Sequence, residues 1–366
     1  VTFTIDPYRF TPPSEGKRLF MWGYNDDGGI GDGTIIQKDS PVQIGTAEWT
    51  HLSVGVSTTM ARKTDGTLWM WGYGESGELG QGNYDSSLIP LQVGTDTDWS
   101  GSFSAGIAHS LAIKTDGTLW AWGYGAEGAL GTGGIGDELS PVQVGVWTDW
   151  TAVSAGDFYS LGVRSTSTLW SWGTNYQGAL GQGATDVLLS PTQVGVSTGW
   201  SNAIYAGESA AAGIRNTGHA YLWGSAVQYE TFYWQTTVPT LLDADNDHVF
   251  VCAGSKNFHI VRTVGSLWAF GYNHVGQLGN GSTTHKEVPP ERIGFDFDWT
   301  GTFSGKAEST LALRDDGTIW GWGSGTLGQI GDGAATDRLS PVQVGSATDW
   351  TYVTCGFYTS GGLRLA

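Results

Sequence analysis

Three groups of residues carry side chains from which chemistry could be built. The segment DADNDH sets Asp243, Asp245 and Asp247 at alternate positions, as in the opening of a calcium loop that needs closely spaced oxygen ligands. The sixth position is His248 where such a loop needs Gly, and no Glu closes it at the twelfth, so the segment reads as a solvated loop. NDDG at 25–28 is a similar run that reads as a turn. The second group is Asp157, Glu208 and Glu308, the only acids in one recurring set of loops; a lyase or hydrolase would need such acids to converge. The third is the histidines and cysteines. The seven histidines show no H-E-x-x-H or paired-ligand spacing, and no G-x-S-x-G elbow occurs. His248 reads as a packed ring, and Cys252 and Cys355, with no CxxC spacing, as buried free thiols. No catalytic constellation, metal site or cofactor is expected.

The elements that would position these residues follow from composition. The 366 residues include 58 Gly and 19 Trp, and only 14% are charged, which is unlike a disordered chain. Gly and β-branched residues form helices poorly, and no stretch has a period of 3.6, so strands are expected. No apolar run approaches the length of a membrane span, and no membrane insertion is expected. The net charge of −18, without any Lys/Arg cluster, repels phosphate backbones and excludes a nucleic-acid partner. It would suit a basic partner. The first residue is Val1, so the chain reads as processed or trimmed, and no secretory signal is visible.

The chain repeats itself. An aromatic-x-aromatic-Gly phrase begins at Phe20, Trp69, Trp120, Trp170, Tyr221, Trp268 and Trp320, at intervals of 49, 51, 50, 51, 47 and 52 residues. A proline phrase keeps step at Pro41, Pro90, Pro141, Pro191, Pro239, Pro290 and Pro341. A third phrase places Trp at 49, 99, 150, 200, 299 and 350, with His248 in the remaining copy. Asp65-Gly66, Asp116-Gly117 and Asp316-Gly317 are hairpin turns, because Gly accepts a positive φ. Four short strands per copy in seven copies predict an all-β, seven-bladed β-propeller. Trp120 and Trp122 point to one face of their strand. Their recurrence in every copy makes the aromatic pairs packing between blades rather than a sugar platform. The last copy lacks an aromatic strand and residues 19–22 supply it, so strands from both termini are expected to close the fold and remove its open edges. Residues 1–17 lie outside the repeat and read as an extended N-terminal arm, and 18–366 as the propeller.

The phrase LWAWGYGAEGALGTGG…SPVQVG…DWTAVSAGDFYSLGV resembles the RCC1 (regulator of chromosome condensation) repeat, over residues 19–365. The G-x-L-G-x-G segment stands at 77–82, 128–133, 178–183 and 276–281, and with Ile for Leu at 28–33 and 328–333. The resemblance implies a seven-bladed propeller. Family members include a chromatin-bound guanine-nucleotide exchange factor, β-lactamase inhibitors and ubiquitin-ligase modules. Exchange activity is not expected, because the chain is acidic and the family's recurring His, three residues after the Ser-Ala-Gly glycine, is kept only at His109. The simple, closely alike repeats are similar to those of bacterial and phage proteins.

Framework positions hardly change between copies, whereas two loop sets do. One follows the Ser-Ala-Gly glycine (56–58, 107–109, 157–159, 208–210, 255–257, 306–308 and 357–359); the other follows Trp-Gly. Loops on a rigid scaffold are where recognition lives. Their aromatics, Tyr73, Tyr124, Phe158, Tyr159, Phe357 and Tyr358 among them, are candidate binding residues. The fifth copy lacks the glycine segment and instead carries Tyr229, Phe232, Tyr233 and Trp234, a candidate docking patch. The expected function is non-catalytic binding: a phage virion or bacterial surface component, extracellular or on the virion, engaging a host receptor, a protein partner or a cell-surface glycan. The arm would hold a neighbouring subunit. The alternative is a soluble inhibitor or regulator that caps a partner enzyme.

Overall fold

The computed structural model describes residues 16–184, 186–228, 231–305 and 308–366, with side chains at all of these except 226–228, 231–234 and 303. Among them the chain forms 28 strands and one short 3-10 helix, Tyr176–Gly178. Five antiparallel sheets have four strands each, and their first strands are Trp99–Ala105, Trp150–Ala155, Trp200–Ala206, His248–Ala253 and Trp299–Ser304. A sixth, eight-stranded sheet contains Trp350–Cys355, Thr359–Leu365 and Lys17–Gly23, then continues to Trp49–Val54. The arrangement is all-β and propeller-like. The expected pairing of terminal strands is present: Lys17 lies opposite Leu365 and Gly23 opposite Thr359. The strand begins at Lys17; residues 1–15 of the arm lie outside the described residues.

Where the first strand begins with Trp, the aromatics of the sheet form a cross. Trp99 meets Trp120 edge-on at 6.2 Å and Trp122 at a tilt at 6.0 Å, and Trp150 meets Trp170 and Trp172 edge-on. The first aromatic of each pair is half-buried; Trp120 Nε1 donates to Thr118 Oγ1 at 2.9 Å, beside the turn. That turn has the expected form: Gly117 takes a φ of 81°, and the Thr118 hydroxyl and N–H hold the Asp116 carboxyl below its usual range. A cation that the sequence reading missed completes the cross. Lys63, Lys114, Arg164, Arg215, Arg262, Arg314 and Arg364, each closing a second strand, lie over these rings, Arg314 at 4.2 Å from Trp320. Most also pair with an Asp, as Arg164 does with Asp149 at 2.7 Å.

This ladder settles the acidic motif. Asp243, Asp245 and Asp247 all pair with the Arg262 guanidinium, and His248 Nε2 lies 3.4 Å from Asp243. The segment is a loop with residues 244–246 exposed, as expected, and the sequence reading missed only that its three carboxylates converge on one cation that also covers Trp268.

The second aromatic of each pair joins neighbouring sheets. Trp122 Nε1 donates to Glu78 O at 2.8 Å, and Ser110 Oγ to the same carbonyl at 3.0 Å. Trp172 and Ser160 share Ala129 O, and Trp22 and Ser360 share Gln329 O. The acceptor always precedes the Leu or Ile of the previous copy's G-x-L-G segment. The next glycine must be bare, since a Cβ on Gly80 would stand 2.9 Å from the Trp122 ring. Where the fifth copy lacks this segment, the following sheet has neither donor. Phe258 and Phe270 replace them and stack at 4.9 Å.

Toward the inner strands, Ser53, Ser104 and Ser154 accept from the backbone N–H of Ala105, Ala155 and Ala206 in the next sheet. Small residues are obligatory there, as expected. A Cβ on Gly55 would meet Gly106 O at 2.5 Å, one on Gly106 would meet Gly156 O at 2.6 Å, and one on Gly356 would meet Gly55 O. Cys252 and Cys355 are buried and form no disulfide, Cys355 Sγ donates to Ser304 O at 3.0 Å, and burial pushes the Cys252 thiol well up.

Two predictions follow from this packing. Trp122→Phe should lower unfolding stability by about 1–3 kcal/mol in urea titrations, through a lost bond and lost volume. Phe270→Trp, although it restores the common residue, should also destabilise, because its N–H finds no acceptor; a stabilised variant would refute the account. The second concerns His259, fully buried where other copies have Leu111, Leu161 and Leu311. Burial pushes its pKa down to about 4, and burial followed by Arg62 and Lys17 does the same to His51. The folded protein keeps both neutral while the unfolded chain protonates near 6.5, so stability falls as pH drops from about 6.5 to about 4. His259→Leu should remove on the order of 2–3 kcal/mol of that acid loss. Urea midpoints at pH 7 and 4.5 would show it, and an unchanged difference would count against it.

Candidate functional site

Antiparallel connectivity places both variable loop sets on the same face. They are tied together by one bond per copy: Tyr73 N–H donates to Ser57 O, Tyr124 N–H to Ala108 O, Thr174 N–H to Phe158 O and Tyr24 N–H to Tyr358 O. The Asp-Gly turns and the Asp–cation pairs occupy the opposite face. The two loop sets are therefore one rim, which the sequence reading treated as two.

The rim collects most of the candidate residues. Tyr73, Tyr124 and Phe158 line a groove of about 380 Å3 with Asp27, Ser57, Ile107 and Glu78. Tyr124 and Phe158 meet edge-on at 5.9 Å. Phe357 lines a smaller central depression with Val56, Ile107, Asp157 and Glu208. Tyr358 is 40% exposed and packs on Tyr24 at 5.8 Å and Phe357 at 6.1 Å.

Tyr159 is the correction. It is 2% exposed, and its hydroxyl donates to Ala210 O of the next sheet at 2.8 Å, so it cannot belong to a recognition surface. The residue that opens the second strand turns inward in every copy: it is the third position of this loop in six copies and the fourth, Ser309, in the longer loop after Gly305. Thr58, His109, Ala210, Asn257, Ser309 and Thr359 are buried there, and His109 Nε2 pairs with Ser160 of the next sheet at 2.9 Å. The varied residue types at this position are spacers between sheets. Tyr229 lies outside the described residues, and of Phe232, Tyr233 and Trp234 only the backbone is described, on the long hairpin of Ala220–Gln228 and Thr231–Leu241.

The three acids weighed for turnover do not form one constellation. Asp157 and Glu208 share the central depression, where Ser255 Oγ donates to Glu208. Glu308 pairs instead with His274 at 3.3 Å. The acid that sequence reasoning missed is Glu78. It is 1% exposed, and burial pushes its carboxyl up to about 7, against the Ser76 N–H that donates to its Oε2 at 2.8 Å. The signal was available: Gly29, Ala129, Ala179, Gln277 and Gln329 hold the same place in other copies, and only this one is ionisable.

The sequence pattern of the Regulator of chromosome condensation (RCC1) repeat matches residues 18–62, 65–113, 116–163, 264–305 and 316–362. A second pattern of the same description matches 102–129 and 150–179. The chain is 29% identical to the Ultraviolet-B receptor UVR8 of Arabidopsis thaliana over 69% of its own length and 48% of that protein. It is 35% identical to Protein RCC2 of Homo sapiens over 26% of its own length and 19% of that protein. It thus spans less than half the length of these curated relatives. Among solved structures, human WBSCR16 superposes with a TM-score of 0.82 at 19% identity, covering 96% of this chain and 100% of that one. Yeast RCC1 (Prp20), solved with Kap60 bound, gives 0.82 at 19%, covering 96% and 90%. At such identities the structures speak for the fold. The repeat patterns cover more than half of the chain, and the chain belongs to the RCC1 repeat family.

Proposed function

We propose that the chain is a non-catalytic, seven-bladed binding propeller whose aromatic rim recognises a protein partner. The observation that carries this reading is the convergence of both variable loop sets on one face, with Phe158 and Tyr358 presented to solvent there. The eight-stranded sheet comprises two blades, since among the described residues its halves pair only at Lys17 and Trp49. The inner glycines contact one another in turn from Gly55 to Gly305, Ser304 Oγ donates to Cys355 O, and Gly356 returns to Gly55, which supports a closed ring. A protein is favoured over a cell-surface glycan because the superposing yeast RCC1 was solved with Kap60 bound. For the setting, the net charge of −18 and the closely alike repeats support a phage virion or bacterial surface component, extracellular or on the virion. Residues 1–17 would tether it to a neighbouring subunit.

Crosslinking mass spectrometry on source material fractionated by particle size tests the setting. Comigration with a large particle and crosslinks from residues 1–17 are expected. Migration as a free 38.9 kDa protein crosslinked through its rim to one enzyme would replace that setting with a soluble regulator. The face is tested separately by partner capture. Phe357→Ala with Tyr358→Ala should lower it at least about tenfold, whereas Val146→Ser with Val196→Ser, on the opposite face, should leave it unchanged. The reverse pattern would move recognition to that face.

A further inference from the structure

Glu78 has a hydrogen-bonding capacity that its surroundings leave half used. Its equivalents Gln277 and Gln329 show what the position normally does. Gln329 Oε1 accepts from Leu327 N–H at 2.9 Å and Gln277 Oε1 from Val275 N–H at 3.0 Å, as Glu78 Oε2 accepts from Ser76. The other side-chain atom of each glutamine is an Nε2 turned to the rim loop, toward Ser324 Oγ at 3.2 Å and His274 Nδ1 at 3.3 Å. Oε1 of Glu78 takes that place and is buried without a partner. The loop above it begins with Tyr73, whose hydroxyl is committed to Glu75 at 3.1 Å. Burial drives Glu78 toward the neutral acid for want of a counter-charge; its ionised form can only accept, so what that form lacks is a cationic donor.

The groove against which Glu78 lies indicates what kind of donor fits. Tyr73, Tyr124 and Phe158 wall it, Asp27 adds a second acid, and no Lys or Arg is among its lining residues. Ring faces and edges beside uncompensated carboxylates suit an organic cation, which gains from both. The same chain already uses this chemistry internally: the Lys114 ammonium lies between Trp120 and the carboxylates of Asp96 and Asp98. In the groove the ring and acid components are present and the cation comes from outside.

We propose that this groove receives a cationic side chain, the ammonium or guanidinium of a basic segment of the partner protein, with Glu78 and Asp27 as its counter-ions and Tyr73, Tyr124 and Phe158 as its wall. The assignment rests on the rim being the recognition face.

The test uses the full chain and a fluorescein-labelled octapeptide of alternating Gly and Lys, followed by fluorescence anisotropy, beside the same peptide with Gln for Lys. The Lys peptide should bind and the Gln peptide should not. Glu78→Gln should weaken binding at least about tenfold, and Tyr124→Ala comparably. Glu287→Gln, an exposed acid outside the groove, should leave it unchanged. Glu78→Gln introduces the residue that two other copies carry, and an unchanged Tm would confirm its fold. Lys-peptide binding that is absent, matched by the Gln peptide or unaffected by Glu78→Gln overturns the proposal. Binding lost with Phe357→Ala and Tyr358→Ala but kept in Glu78→Gln would refute the groove and leave the rim standing. Binding insensitive to every rim variant would remove both.

Discussion

One carbonyl per copy holds neighbouring sheets together. Glu78 O, Ala129 O and Gln329 O each accept an indole N–H and a hydroxyl from the following sheet. A buried carbonyl has two lone pairs, and leaving it unmet is expensive, so this joint demands the indole donor and usually adds a hydroxyl; Ala179 O, opposite Ala211, has the Trp223 indole. The joint also demands a glycine beside the acceptor, where the indole lies against the backbone. Much of the repeat signature restates this requirement. The exception obeys the same rule: where the acceptor segment is missing, both donors become phenylalanines that stack on each other, Phe258 on Phe270.

The repeats made the architecture legible, because seven phased copies expose every position that packing constrains. The aromatic pairs, the Asp-Gly turns, the small residues of the inner strands and the pairing of terminal strands could all be read from type and spacing. What could not be read was direction. Tyr159 varies among copies as an exposed residue would, yet its position turns inward, and variation there reflects a gap between sheets that several side chains can fill. Asp243, Asp245 and Asp247 read as a solvated loop without partners because their cation, Arg262, closes a later strand, out of sight of a local motif. The candidate site was half legible. Its aromatics were found by their loops, whereas Glu78 was passed over within a segment read as turn geometry.

The charge balance gains meaning from the cation ladder. Seven of the 17 Lys and Arg residues are fixed over Trp, Tyr or Phe rings at the ends of second strands. Their Asp partners crowd the face opposite the rim, as Asp149 and Asp349 do against Arg164 and Arg364. Much of the positive charge is thereby neutralised on that face. The rim groove, lined by Asp27 and Glu78 without a cation, keeps its negative character.

The ladder between Lys17–Gly23 and Thr359–Leu365 also has a kinetic side. The other sheets are built from hairpins between consecutive strands, which close on microsecond timescales. This one must bring together strands from opposite ends of the described chain. Loop-closure entropy grows only with the logarithm of length, so the thermodynamic penalty is modest, but the high contact order slows the search. Until these two strands meet, Gln329 O lacks its indole donor, because Trp22 comes from the N-terminal strand, while Ser360 can reach it from the hairpin with Trp350–Cys355. A nearly folded molecule thus carries two unpaired strand edges and one incomplete joint, the form in which a second copy could exchange its terminal strand.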